Sequence, residues 1–193
     1  MNSDTWNIHE GLLKLRWGNS PKEVIATYPQ ALSTHAIKQA ASKKEPAIDI
    51  PPALVIEQFI TLPACQLRAV CSFSNEQLVG IDLYPRTTYQ DRSLRIFLER
   101  ALQTLLAQLG LDASIALPVR TQAIIHPSIL DGVHVEIETQ KTDFAVFLYA
   151  PNTEELGRQN DLHRRYRRIQ AERGLVNARL SPEQWTDAMK SKV

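Results

Sequence analysis

The chain has 193 residues, 44% apolar and 22% charged, with 22 Lys and Arg against 21 Asp and Glu for a formal net charge of +1. That length holds one good core or two small ones, since domains cluster at about 100 to 150 residues. The composition argues against a disordered or membrane-embedded chain, and the near-zero charge supplies no global field to draw in nucleic acid or lipid.

The first residues, Met1 to Trp6, carry neither the basic stretch nor the apolar stretch of a signal peptide. No apolar run approaches the roughly 18 residues of a membrane helix. The expectation is a cytoplasmic protein without membrane association. Leu13, Leu15 and Trp17 then alternate with Lys14 and Arg16, the period-two signal of a short half-buried strand. Trp17 at the strand end reads as a core plug, and Gly18 as the supplier of an unusual backbone angle. Ser20-Pro21-Lys22-Glu23 predicts a helix start: Ser20 as N-cap, Pro21 where its missing N–H costs nothing, and Glu23 bonding back to the Ser20 amide. Val24, Ile25 and Tyr28 form the apolar face of that helix, and Pro29 closes it. Residues 30 to 52 have a weakly helical composition around Ile37 that Pro46, Pro51 and Pro52 interrupt, and they read as an exposed excursion.

From Leu54 the chain turns β-rich. Leu54 to Leu62 is a largely apolar strand ended by Pro63. Cys65, Leu67, Ala69, Cys71 and Phe73 alternate with Gln66, Arg68, Val70, Ser72 and Ser74, predicting one buried and one mostly wet face. On such a strand the two cysteines stand about 20 Å apart at roughly 3.3 Å per residue. A disulfide needs roughly 4.4 to 6.8 Å between Cα atoms. They therefore read as two small buried apolar groups. After a turn at Ser74 to Gln77, Val79, Ile81 and Leu83 alternate with Gly80, Asp82 and Tyr84, completing a three-stranded antiparallel meander.

Asp91 to Leu109 carries the clearest helical stripe, Leu94, Leu98, Ala101, Leu102, Leu105 and Leu109, with Gly110 in the C′ position. An apolar stretch of ambiguous type runs from Ile115 to Ile125. Gly132 to Glu138 alternates cleanly, Thr139 to Asp143 turn, and Phe144 to Ala150 is apolar on both faces, as in a central strand. Beyond Pro151 the chain becomes charged and poor in β-branched residues. Asn152 or Thr153 can cap a helix bearing Glu154 and Glu155, and Ser181-Pro182-Glu183-Gln184 repeats the earlier helix-start logic.

The predicted fold class is α+β: antiparallel β-sheet meanders covered by helices on one face, with a helical C-terminal arm. The body is residues 1–151, which admits a further division into two similar halves, 1–89 and 90–151. The basic arm is 152–193.

The stretch Trp17-Gly18-Asn19-Ser20-Pro21-Lys22-Glu23-Val24 has the form W-G-x-S-x-x-E-V. It resembles the opening of small bacterial α+β modules, the outer-membrane assembly lipoproteins of the SmpA/BamE type and the β-lactamase-inhibitor-protein-like folds. The resemblance covers Trp17 to Val24 alone and implies a fold class and a habit of binding proteins, with no chemistry attached. The long helix ending at Leu109-Gly110 and the Val133 to Tyr149 hairpin are similar to the later part of uncharacterised bacterial proteins sharing this opening. The sequence departs from the lipoprotein pattern in having no lipobox cysteine near its start and in its Arg-rich arm.

His134, Glu136 and Glu138 share one strand face with neighbours about 6.5 to 7 Å apart. A metal could be bridged there, yet a solvated face explains the same residues, and no metal is expected. His9, His35, His126 and His163 have no partner at ligand spacing. No nucleophile elbow, H-E-x-x-H, P-loop or dinucleotide fingerprint occurs, and seven glycines build no evident phosphate cradle. No cofactor and no catalytic residue are therefore assigned.

The sharpest local feature is the arginine cluster Arg158, Arg164, Arg165, Arg167, Arg168 and Arg173, which with Asp161 and Glu172 leaves four net positive charges. Leu162, Tyr166 and Ile169 recur at helical spacing, giving the segment an apolar stripe opposite most of the arginines. These arginines are candidate binders of protein or phosphate, and a solvated helix face is the plainer alternative. The leading expectation is a non-enzymatic protein-binding module, an inhibitor, immunity-like or assembly factor. Nucleic-acid association through the arginine helix is the first alternative, and an enzyme with an active site assembled outside any motif is the second. The arm's Trp185, Met189 and apolar stripe also suggest a homodimer.

Overall fold

A computed structural model of the chain describes residues 6–34, 37–39, 48–50, 52–63, 65–86, 94–120 and 122–151. Its first element is a tight hairpin of β1 (Gly11–Leu12) and β2 (Leu15–Arg16), with Leu12 opposite Leu15. The single strand expected through Leu13, Leu15 and Trp17 is thereby corrected. Leu13 lies at the hairpin tip with a φ of +56°, exposed, while Leu12 and Leu15 are fully buried on one side. Gly11 makes the reversal feasible: its φ is +142°, and a Cβ there would overlap the Leu15 carbonyl oxygen. Trp17 packs half-buried against the core, its indole Nε1 donating to the Ile8 carbonyl at 2.9 Å. The following turn is tied to the main sheet, since the Gly18 N–H donates to the Leu78 carbonyl at 3.0 Å and the Leu78 N–H to the Asn19 carbonyl at 2.8 Å.

Helix α1 (Pro21–Thr27) starts as its sequence predicts. The Glu23 N–H donates to Ser20 Oγ, and the Ser20 N–H donates to Glu23 Oε2 at 2.7 Å, a complete capping box. Within residues 30 to 52, read from sequence as an exposed excursion of weakly helical composition, the described residues include short strands. These are β3 (Leu32–Ser33), β4 (Ile37–Gln39) and β5 (Ile48–Ile50). Ile37, Ile48 and Ile50 are β-branched residues that suit the β4–β5 pairing. Thr34 anchors the start of this stretch: its N–H donates to the Ala53 carbonyl and its Oγ1 accepts from the Ala53 N–H, both at 2.9 Å, with Thr34 buried.

The main sheet adds β6 (Leu54–Leu62), β7 (Cys65–Ser74) and β8 (Gln77–Pro85) as the expected meander. Asn75 and Glu76 both take positive φ at its β7–β8 turn, the backbone of a type I′ turn whose twist matches that of the strands. Helix α2 (Leu94–Leu109) follows, then β9 (Ile124–Leu130), β10 (Val133–Gln140) and β11 (Asp143–Tyr149). The strand order is β3-β6-β7-β8-β11-β10-β9, antiparallel throughout. Pairing of Leu83 with Val146 and of Ile81 with Leu148 joins strands from either side of residue 90 in one sheet. Strand β9 emerges from the ambiguous apolar stretch and carries Pro127, a residue that sheets accept at an edge because its missing N–H can face outward.

Helix α2 lays Leu98, Ala101, Leu102, Leu105, Leu106 and Leu109, all buried, onto one face of the sheet. It ends in a Schellman motif: the Leu111 N–H donates to the Leu106 carbonyl at 2.8 Å and the Gly110 N–H to the Ala107 carbonyl at 3.2 Å, with Gly110 at φ +74°. The fold is thus α+β and mostly antiparallel sheet. Among the described residues no helix is long and apolar enough to cross a membrane. The helical arm expected over 152–193 lies outside the described residues.

Candidate functional site

The face of the sheet opposite α2 carries the unexpected chemistry. Strand alternation brings Arg68, Val70 and Ser72 of β7, Gly80, Asp82 and Tyr84 of β8, and Ala145, Phe147 and Tyr149 of β11 to this side. Register lines them up in rows: Val55, Val70, Asp82, Phe147 and Glu136 stand side by side across five strands. The sequence expectation of a mostly wet face is corrected here. Asp82 is 1% exposed, Tyr149 1% and Tyr84 2%. Val55, Val70, Tyr84, Ala145, Phe147 and Tyr149 form a second apolar cluster, with Tyr84 and Phe147 in edge-to-face contact at 6.0 Å. At its rim Arg68 Nη2 lies 3.3 Å from Glu57 Oε2, and Arg86 Nε 3.8 Å from the same oxygen. Arg68 brings a largely buried guanidinium, where a paired carboxylate matters most.

Toward β9 the same face opens. His134, Glu136 and Glu138 of β10 stand opposite Ile129, Pro127 and Ile125 of β9 respectively, so an apolar stripe runs beside a polar one. Ile129 is 66% exposed and Ile125 38%. A shallow depression of about 450 Å3 lies here, lined by Pro127, Ser128, Ile129, His134, Val135 and Glu136. Such isoleucines on an edge strand of a folded body mark a surface available for contact.

The histidines and carboxylates do not assemble into a ligand set: among the described residues no group of three or more His, Cys, Asp or Glu is placed to hold a metal ion. His134 is exposed, whereas Glu138 accepts from Gln140 Nε2 at 2.6 Å. His9 Nδ1 lies 2.8 Å from the Asp131 carbonyl oxygen, and His126 Nε2 3.4 Å from Thr139 Oγ1. His35 and His163 lie outside the described residues.

The cysteines are free and belong to the α2-side core. Burial pushes the Cys65 thiol up to about 11, only partly offset by a backbone hydrogen bond from Arg86. Cys71, fully enclosed, is raised further by burial first and by the neighbouring Asp82 carboxylate second. Neither is primed as a nucleophile, which needs thiolate character near neutral pH.

The chain matches no protein-family model, no curated protein and no solved structure. What the site does must therefore come from its own geometry. The six arginines singled out from sequence, Arg158, Arg164, Arg165, Arg167, Arg168 and Arg173, lie outside the described residues. Sequence reading missed two features: the buried Asp82–Tyr84–Tyr149 face, signalled only by Val70 and Tyr84 at supposedly wet positions, and the exposed stripe of β9.

Proposed function

We propose that this chain is a non-enzymatic protein-binding module, of the inhibitor, immunity-like or assembly-factor kind, and that it engages its partner through the β9–β10 face. The observation that carries the reading is the exposed pair Ile125 and Ile129 on an edge strand, flanking a shallow depression beside His134 and Glu136. Fully burying an isoleucine contributes about 1.5 to 3 kcal/mol. Two anchors of that size at the centre of an interface are the kind of hot spot that dominates binding. Pro127 stands at the middle of the strand with no N–H to offer, which disfavours addition of a partner strand along this edge. The contact is accordingly made by side chains across the face, and the partner presents an apolar patch. The resemblance of Trp17 to Val24 to protein-binding modules supports the same reading.

The test is affinity capture from the source cell with the full chain and with an Ile125→Asp/Ile129→Asp double variant. The expected result is a stoichiometric protein partner held by the wild type and lost by the variant, with unchanged far-UV circular dichroism. Equal capture by both chains would refute the assignment to this face. Failure to capture any protein, together with turnover of a metabolite by the pure chain, would refute the function.

A further inference from the structure

Between α2 and β9 the chain packs on the α2-side core without joining the sheet. After the Leu111 N–H closes the end of α2, residues 112–120 make no backbone–backbone hydrogen bond among the described residues. Their burial nevertheless alternates: Ala113, Ile115 and Leu117 turn inward, while Ser114 and Ala116 are exposed. That is the period of an extended chain. Pro118 favours the same conformation by biasing the residue before it away from helix. Leu117 is the deepest point at 2% exposed, and Val119, two residues on, is 76% exposed. Ser114 N–H donates locally to Asp112 Oδ1. Beyond that, a single hydrogen bond ties the stretch to the other described residues: Arg95 Nη2 donates to the Leu117 carbonyl at 2.6 Å. Arg95 is itself braced one turn along α2 by Glu99 Oε1, 3.2 Å from Nε and 3.1 Å from Nη2.

We propose that residues 112–120 form a latched strap that opens while the rest of the fold stays intact, with Leu117 as its plug and Arg95 as its catch. Opening sacrifices little. The strap has no backbone ladder to break, so release costs the Arg95 bond, the burial of Leu117 and the partial burial of Ala113 and Ile115. Segments so sparsely tied open locally at a free energy well below that of the whole fold, whereas α2 and the central strands carry continuous hydrogen-bond ladders. The catch is specific, because a charged donor holds the carbonyl of the plug residue itself. Release also changes what the molecule shows to solvent. Ile115 and Leu117 join the exposed Val119 and Ile124 in one apolar run that leads into β9. The closed strap therefore stores a hydrophobic segment that only the open form presents.

Native-state trypsin digestion of the full chain tests this, with mass spectrometry following cleavage after Arg120 and after Arg100, which is exposed on α2. A synthetic peptide of residues 110–126 supplies the rate for an open strap. A protease grips residues on both sides of the bond it cuts, so cleavage after Arg120 requires Leu117 to leave its seat. That cut should run about tenfold or more slower than in the peptide, and about tenfold or more faster than the cut after Arg100. It should also be insensitive to urea below the unfolding transition, because local opening exposes little surface. Arg95→Met keeps the aliphatic stem and removes the donor, and Leu117→Ala removes the plug. Each should speed cleavage after Arg120 by about tenfold. Cleavage of the wild-type chain at the peptide's rate would overturn the proposal by showing no closed state. Equal rates with equal urea dependence at Arg120 and Arg100 would overturn it by showing that the strap yields only with the whole fold. A rate at Arg120 that neither variant alters would remove both catch and plug.

Discussion

Replacing Leu102 by alanine isolates what α2 contributes to this fold. Leu102 is fully buried in the core cluster between helix and sheet, whereas Phe97, five residues earlier on the same helix, is 47% exposed. Leu→Ala removes three carbons, a transfer loss of about 2.4 kcal/mol at ~0.8 kcal/mol each. The cavity left in a close-packed interior raises the total to about 3 to 5 kcal/mol. Phe97→Ala deletes a larger side chain but should cost no more than about 1 kcal/mol, since much of that ring is already in water. Urea unfolding followed by circular dichroism reads both. With a slope of about 2 kcal/mol/M, the Leu102→Ala midpoint should fall by roughly 1.5 to 2.5 M and that of Phe97→Ala by about 0.5 M or less. Unchanged slopes would confirm that stability alone has moved. Equal shifts, or a larger one at Phe97, would mean that α2 turns a different face to the sheet and would undo the packing argument.

Ser20→Ala should cost about 1 kcal/mol by removing the N-cap of α1. Hydrogen bonds from Ser20 hold the Glu23 carboxyl below its ordinary range. A carboxylate with a lowered folded-state pKa stabilises fully above its unfolded value and loses that contribution as pH falls through the folded one, so Glu23→Gln should flatten the acid side of the stability profile measured by thermal melts. Gly11→Ala should destabilise strongly in the same melts, because the added Cβ meets backbone at the Leu15 carbonyl and no side chain can move aside. The raised thiols predict slow labelling by a thiol-specific disulfide reagent at pH 7, with Cys65 becoming reactive as pH climbs toward 11 and Cys71 reacting only on unfolding. Because both folded thiols sit above their unfolded value, their contribution to stability is complete below about pH 8.5 and declines above it. Prompt labelling of Cys71 in the native chain would contradict its enclosure.

Local signals were the legible ones. The capping box at Ser20 and Glu23, the stop at Gly110 and the alternation through Val133, Val135 and Ile137 each depend on neighbours within a turn or two, and each appears in the fold as expected. Around Ile37 the strands were not legible, because Ala, Lys and Gln there favour helix weakly, whereas the pairing of Ile37 with Ile50 is a contact at a distance that composition does not encode. Strand β9 escaped for a related reason: His126, Pro127 and Ser128 interrupt its apolar run, and only an edge position next to β10 makes that tolerable. The second sheet face was the deepest omission. Arg68, Ser72 and Asp82 are residue types that belong in water, and their burial depends on what lies over them, which strand periodicity is blind to. The β9 stripe became a candidate site only once register set Ile129 beside His134.

The pairing of Leu83 with Val146 carries a consequence for how the molecule is made. Strands β6, β7 and β8 can close on one another as soon as they are synthesised, but β8 meets its other neighbour 63 residues later. At about 5 to 20 residues per second, a ribosome takes roughly 3 to 13 s to deliver that neighbour. For that interval the nascent meander presents Leu78 to Tyr84 as an open, strongly apolar border, the kind of edge that recruits stray strands. The two arms of the sheet are thus assembled in sequence, and the late arrival of Phe144 to Tyr149 is the step at which a chaperone would matter most.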